Sequence, residues 1–229
     1  MDENKKIVIL IGPPGCGKGT QADMLAEQFN LFHFETSKII QEKITSASPD
    51  DAVLMREKEL YDSGELNTPE LARGWVMDKV NELYAQGRGI VFSGSPRTLP
   101  EAEIEMPFFE RLYGKINIHA INIKLSREES FNRNSHRRIC KLNRHPIPNF
   151  KEYETITTCP KDGSELVVRK ELDDPETILV RYEVYQRRTE PIIEFLKDHN
   201  YSLTEINGEQ SIEKVYDDII VAIKFNNDN

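Results

Sequence analysis

Residues 12–20, GPPGCGKGT, concentrate the chemistry of this chain. They fit G-x-x-x-x-G-K-[ST] through Gly12, Gly17 and Lys18, except that Gly19 stands where Ser or Thr is usual and Thr20 follows. Glycines at this spacing let successive backbone N–H groups point inward at phosphate oxygens, and the lysine reaches the β- and γ-phosphates. A helix that starts directly after the loop adds its positive end. Gly15, Cys16, Gly17, Lys18, Gly19 and Thr20 are therefore candidates to hold a nucleotide's phosphates. Cys16 reads as a small residue that fits the loop rather than as a reactive thiol.

A second stretch, IVFSGSPRTLPE at 90–101, reads as a strand running into a loop. In enzymes with a phosphate loop, a nearby strand often ends in a carboxylate that steers magnesium. Here the strand ends in Ser93.

The elements that must position these residues alternate. KIVILIG (6–12) is a continuous apolar run rich in β-branched residues, as in a buried parallel strand. Further strands are expected at 31–36, 89–94, 116–126 and 200–208. A helix is expected from Gly17 to Phe29, with Met24, Leu25 and Phe29 on its apolar side. Residues 38–63 have a helical pattern broken near Ser46–Pro49. Thr68, as N-cap, and Pro69 start a helix that runs to about Ala85. SREE (126–129) reads as a capping box, and a last helix spans about 211–225. Strands alternating with helices predict an α/β fold, a five-stranded parallel phosphate-loop sheet flanked by helices. Residues 138–174 break the pattern, with prolines, scattered polar residues and little helical period. They read as a functional insertion without regular structure.

Composition bounds the function. The 229 residues suffice for one α/β domain with small insertions, and 38% are hydrophobic against 30% charged. The net charge of −9 argues against a broad grip on nucleic acid. No apolar run approaches the ~18 residues of a membrane span, and MDENKK followed by a strand-length apolar run is no secretory signal. Three cysteines make no disulfide framework, so a cytoplasmic protein is expected.

GPPGCGKGTQAD resembles the phosphate loop of adenylate kinases and related nucleoside monophosphate kinases. SGSPRTLPEAE (93–103) resembles that family's D-G-[FY]-P-R-T-x-x-Q-A. FNRNSHRR (131–138) resembles the helix end carrying two arginines before the lid. DDPETILVRYEVYQRRTEPIIEFL (173–196) resembles a long family signature. Together these motifs cover nearly the whole chain. The resemblance implies a core (1–35, 69–136 and 175–229), a helical monophosphate-binding flap (36–68) and a small lid (137–174). It also implies transfer of the γ-phosphate of Mg·ATP to AMP, giving two ADP, by a monomer whose partners are nucleotides. Lys18, Arg97, Arg137 and Arg181 are then the catalytic cations. Arg133 and Arg137 cover the ATP, and Thr36, Gln41, Gly94, Arg97, Glu101 and Arg181 lie on the acceptor side. Either Arg169 or Lys170 takes the place of a further lid arginine.

Departures from the family pattern fall on the acceptor side. Ser93 replaces the magnesium-steering acid, Lys38 a second acid, Gln41 a phosphate-gripping arginine, and Glu101 the glutamine that pairs with adenine. A carboxylate accepts hydrogen bonds only, which suits the two donors of guanine better than adenine. Either Glu101 shifts preference toward GMP, or it turns elsewhere and AMP is held by other groups. A catalytically weakened nucleotide-binding protein is the alternative from a different class. In one branch of the family the lid carries C-x2-C…C-x2-[CD] around zinc. Here Cys140, Cys159 and Asp162 fit, Asn143 stands in place of the second cysteine, and His145 lies two residues further on. Either these four side chains hold structural zinc, or the lid rests on hydrogen bonds and packing with two free thiols.

Overall fold

A computed structural model describes residues 5–62, 67–143, 145–147, 153–168 and 173–225. Arg169 and Lys170 lie outside the described residues. The five expected strands form one parallel sheet in the order β2-β3-β1-β4-β8. They are β1 (Ile7–Ile11), β2 (Phe32–Phe34), β3 (Ile90–Phe92), β4 (Ile118–Lys124) and β8 (Ser202–Asn207).

The unbroken apolar run of β1 has a direct cause. Its side chains alternate between two covered faces, so neither face can be polar. Ile7, Ile9 and Ile11 enter one core with Val80 and Leu83 of α4 (Pro69–Ala85), Met106 and Phe109 of α5 (Leu99–Tyr113), and Ile192 and Leu196 of α8 (Pro191–Asp198). Val8 and Leu10 enter the other, with Ala22 and Leu25 of α1 (Lys18–Phe29) and Val215, Ile219 and Ile223 of α9 (Ile212–Phe225).

Several expectations need correction. The buried residues of α1 are Gln21, Ala22 and Leu25, with Phe29 partly buried against the same core as expected; Met24 is not among them. Gln21 is tolerated there because its amide donates to the Ile212 carbonyl at 2.9 Å, tying α1 to the start of α9. Thr36 opens helix α2 (Thr36–Thr45) instead of ending a strand. Thr68 sits at the N-cap of α4 but gives the helix no side-chain bond. Its hydroxyl donates to Glu57 Oε1 at 2.5 Å and its amide to Glu57 Oε2 at 2.9 Å. Glu57 lies on α3 (Ala52–Asp62) and is nearly fully buried, so this carboxylate ties α3 to the start of α4. Ser126 does cap α6 (Arg127–Ser135), accepting from the Glu129 amide at 3.2 Å, while Glu129 itself turns to Arg133.

The insertion is not irregular. β5 (Arg138–Cys140) pairs antiparallel with β6 (Pro146–Ile147) and β7 (Leu166–Val168) in a small sheet ordered β6-β5-β7. These strands are two or three residues long, too short for a period to register in sequence. The chain leaves the small sheet into α7 (Pro175–Val184), whose N-cap Asp174 accepts from the Thr177 amide at 3.1 Å. Among the described residues no helix is long and apolar enough to cross a membrane.

Candidate active site

The phosphate loop leaves the C-terminal end of β1, where open α/β sheets place their ligands. Gly15 and Gly17 have φ of +83° and +94°, in the left-handed region. A Cβ at Gly15 would stand 2.6 Å from Asn134 Nδ2, so this glycine also lets α6 approach the loop. Among the described residues no side chain caps α1, which leaves its first-turn amides available to an anion. Cys16 is buried, as a small loop-filling residue should be. Lys18 Nζ folds back on the loop, donating to the carbonyls of Gly12 at 2.6 Å and Pro13 at 3.0 Å. Gly19 and Thr20 follow in the first turn of α1.

A second group of cations converges on one buried acid. Asp173 has a fully buried side chain. It receives Arg137 through both carboxylate oxygens, with Nε at 3.1 Å, and Arg181 Nη1 lies 3.5 Å away. Burial is the largest influence on Arg181 and disfavours its charge. Arg137 adds repulsion, Asp173 opposes it, and Arg97 adds further repulsion. Arg97, Arg137 and Arg181 lie close enough for their charges to repel, a grouping of guanidiniums that suits a polyanionic ligand. Asp173 was missed as a functional position in the sequence, although the DD pair that carries it stands out.

Arg97 is exposed, its Nε donating to the Gly94 carbonyl at 2.6 Å. Thr36 at the start of α2 lies against the same carbonyl at 3.5 Å, so Thr36, Gly94 and Arg97 are brought together. Gln41 is exposed on α2. Lys38, also exposed, is ion-paired to Glu35. Glu101 is committed elsewhere: it accepts the Arg97 backbone N–H at 2.6 Å. Arg133 is held by Glu129 at 2.7 Å and donates to the Gly208 carbonyl at 2.9 Å.

Ser93 does not stand alone. Its Oγ is 2.8 Å from His33 Nε2, and His33 Nδ1 is 2.8 Å from Asp23 Oδ1. Lys161 of the insertion reaches the other oxygen of Asp23 at 2.8 Å. Neither Asp23, His33 nor Lys161 gives a signal in sequence, because they come from α1, β2 and the insertion.

In the insertion, Cys140, His145, Cys159 and Asp162 place one ligand atom each within 4.8 Å of one another. His145 Nδ1 is 3.5 Å from both Cys140 Sγ and Cys159 Sγ, and 3.2 Å from Asp162 Oδ2. A tetrahedral zinc with sulfur and nitrogen ligands requires S···N edges of ~3.5 Å and N···O edges of ~3.4 Å, from its usual bond lengths. Hydrogen bonds from Ser164 hold the Asp162 carboxyl well below its ordinary range, and burial pushes the Cys159 thiol up. Asn143 does not join as a ligand but donates to Asp162 at 2.9 Å.

A family model described as adenylate kinase matches residues 10–201. Among curated relatives, the adenylate kinase of Elusimicrobium minutum is 34% identical over 93% of this chain and 96% of its own. That of Methanothrix thermoacetophila is 34% identical over 93% and 95%. That of Bacillus subtilis is 32% identical, again over 93% and 95%.

Proposed function

The chain belongs to the adenylate kinase family and is a phosphotransferase acting on nucleoside monophosphates, and on that premise we propose how its residues divide the work. Residues 1–35, 69–136 and 175–229 serve as the core, 36–68 as the acceptor flap and 137–174 as the lid. The loop amides and Lys18 hold the β- and γ-phosphates of ATP. Arg133 and Arg137 cover the ATP, with Arg169 or Lys170 contributing from the lid. Arg97 and Arg181 place the phosphate of AMP, and Thr36, Gly94 and Gln41 line its side of the site. No general base is needed, because the attacking atom is an anionic phosphate oxygen; positioning and positive charge carry the rate. Lid closure excludes water and limits hydrolysis.

The single observation that carries this reading is the pairing of a glycine loop at a helix start with Arg137 and Arg181 gathered on the buried Asp173. Magnesium arrives on the ATP phosphates and neutralises their charge in transfer. Thr20 and Ser93 offer hydroxyl oxygens beside the loop, a donor set suited to a cation held chiefly by phosphates and water.

Glu101 supports AMP over GMP as acceptor. One oxygen of its carboxylate is engaged by the Arg97 amide, which lessens what it can offer to guanine's two donors. The lid cluster supports structural zinc on Cys140, His145, Cys159 and Asp162, because the distances from His145 to the other three ligand atoms are close to the edges of a zinc tetrahedron. We read the protein as a cytoplasmic monomer. ADP formation with Mg·ATP and AMP, GMP, CMP, UMP or no acceptor tests the proposal. A strict AMP-dependent rate is expected. Preference for GMP would return the specificity to Glu101, and no rate with any acceptor while ATP still binds would leave a binding protein.

A further inference from the structure

Ser93 follows β3 directly, and β3 lies beside β1 with Ile9 paired to Phe92. The serine therefore emerges at the same edge of the sheet as the phosphate loop. Its hydroxyl ends a chain that runs inward from the surface: Lys161, Asp23, His33, Ser93. The polarity of this chain follows from its first acceptor. Asp23 receives hydrogen bonds from His33 and Lys161, which hold its carboxyl down at about 2 although burial opposes them as the largest single influence. A carboxylate only accepts, so the His33 proton sits on Nδ1, and in the neutral ring Nε2 is a bare acceptor. With the ring neutral, the Ser93 O–H points at His33, whose Nδ1 also lies 4.0 Å from Glu35 Oε1. Its oxygen lone pairs are turned outward, and no other partner engages them among the described residues.

We propose that Asp23 and His33 are positioning residues for phosphoryl transfer: they hold Ser93 as a fixed, outward-facing acceptor beside the phosphate loop, where it orients a water of the nucleotide-borne magnesium. The inference rests on the kinase reading above. A lone serine rotor is a poor substitute for a carboxylate, since it can present either a proton or a lone pair. The relay removes that ambiguity and gives the hydroxyl part of a carboxylate's acceptor strength by hydrogen-bond cooperativity. Lys161 extends the chain to the insertion, so Asp23 is held from both sides when that segment lies against α1.

The first test needs no catalysis. In ring-labelled protein, the nitrogen spectrum of His33 at neutral pH is expected to show a protonated Nδ1 and a bare, hydrogen-bonded Nε2 whose resonance shifts in Ser93→Ala. A ring protonated on Nε2 overturns the proposal. The second titrates Mg2+ against complexes with a non-transferable ATP analogue. His33→Gln and Asp23→Asn are expected to weaken magnesium roughly 10–100-fold and to lower kcat far more than they raise KM for ATP. Ser93→Asp, which needs no polarising partner, is expected to restore magnesium affinity in the His33→Gln background. Magnesium affinity within about twofold of wild type in His33→Gln, or no rescue by Ser93→Asp, overturns the proposal. A wild type that forms no ADP with any monophosphate would instead overturn the kinase reading, while the ring-nitrogen result would still report on the relay.

Discussion

Glu105 sits one helical turn beyond Glu101 on α5 and is 2% exposed. It accepts a hydrogen bond from the equally buried Ser95 hydroxyl at 2.9 Å. Burial pushes its carboxyl up to about 8 from an ordinary 4.5. Ser95 opposes, the neighbouring Glu101 adds to the rise, and Arg73 and Arg97 oppose it. The folded protein therefore keeps a proton that the unfolded chain releases above pH 4.5. The stabilisation this proton carries is full below pH 4.5 and is lost as pH rises toward 8. Each pH unit in that window costs about 1.4 kcal/mol, so three units to pH 7.5 cost about 4 kcal/mol. Glu105→Gln keeps an acceptor for Ser95 and cannot ionise, but its amide N–H2 must find a partner, at a cost of about 1–2 kcal/mol that does not vary with pH. Urea denaturation of both proteins at pH 5, 6, 7 and 8, at constant ionic strength, isolates the titrating part. The variant is expected to gain on the wild type by about 3–4 kcal/mol between pH 5 and pH 8. A difference between the two proteins that stays flat across that range would refute the reasoning, whatever its sign.

His119 predicts the opposite limb. It is fully buried on β4 with neither ring nitrogen hydrogen-bonded among the described residues, and burial, assisted by Lys6, pushes its pKa down to about 4 from 6.5. Its contribution is present above pH 6.5 and is lost as pH falls toward 4, so His119→Leu should flatten the acid limb by about 3 kcal/mol in denaturant melts. Asp173→Asn removes the negative charge that Arg137 and Arg181 share; a loss of about 3 kcal/mol is expected by urea denaturation, partly restored by a bound polyphosphate. Lys18→Met removes the cation of the phosphate loop and should lower kcat by about 10²–10³ in the ADP-formation assay while the melting temperature changes little. If the lid holds zinc, metal analysis should find about one equivalent, and a chelator should lower the melting temperature of wild type but not of Cys159→Ser.

The sequence alone determined what rests on local rules. A βα phosphate loop needs glycines at fixed offsets, a lysine and a following helix, all adjacent in the chain, so residues 12–20 were legible. Five strand-length stretches separated by helical patterns were enough for a parallel sheet. The arginines at 97, 133, 137 and 181 were legible through motifs, because each stands in a long local pattern. Tertiary structure alone decided the rest, since it depends on groups distant in the chain meeting in space. Asp173 joins Arg137, 36 residues before it, and Lys161 meets Asp23 across 138 residues. His33 lies in a three-residue strand where alternation carries little signal, yet it supplies the partner that fixes Ser93. The burial of Gln21 beside Leu25 on α1 could not be read from hydrophobicity either, because its amide is satisfied by a carbonyl 191 residues away. The short strands of the insertion are decided in the same way. They exist because antiparallel neighbours satisfy their backbone groups, and that pairing leaves no period in so few residues.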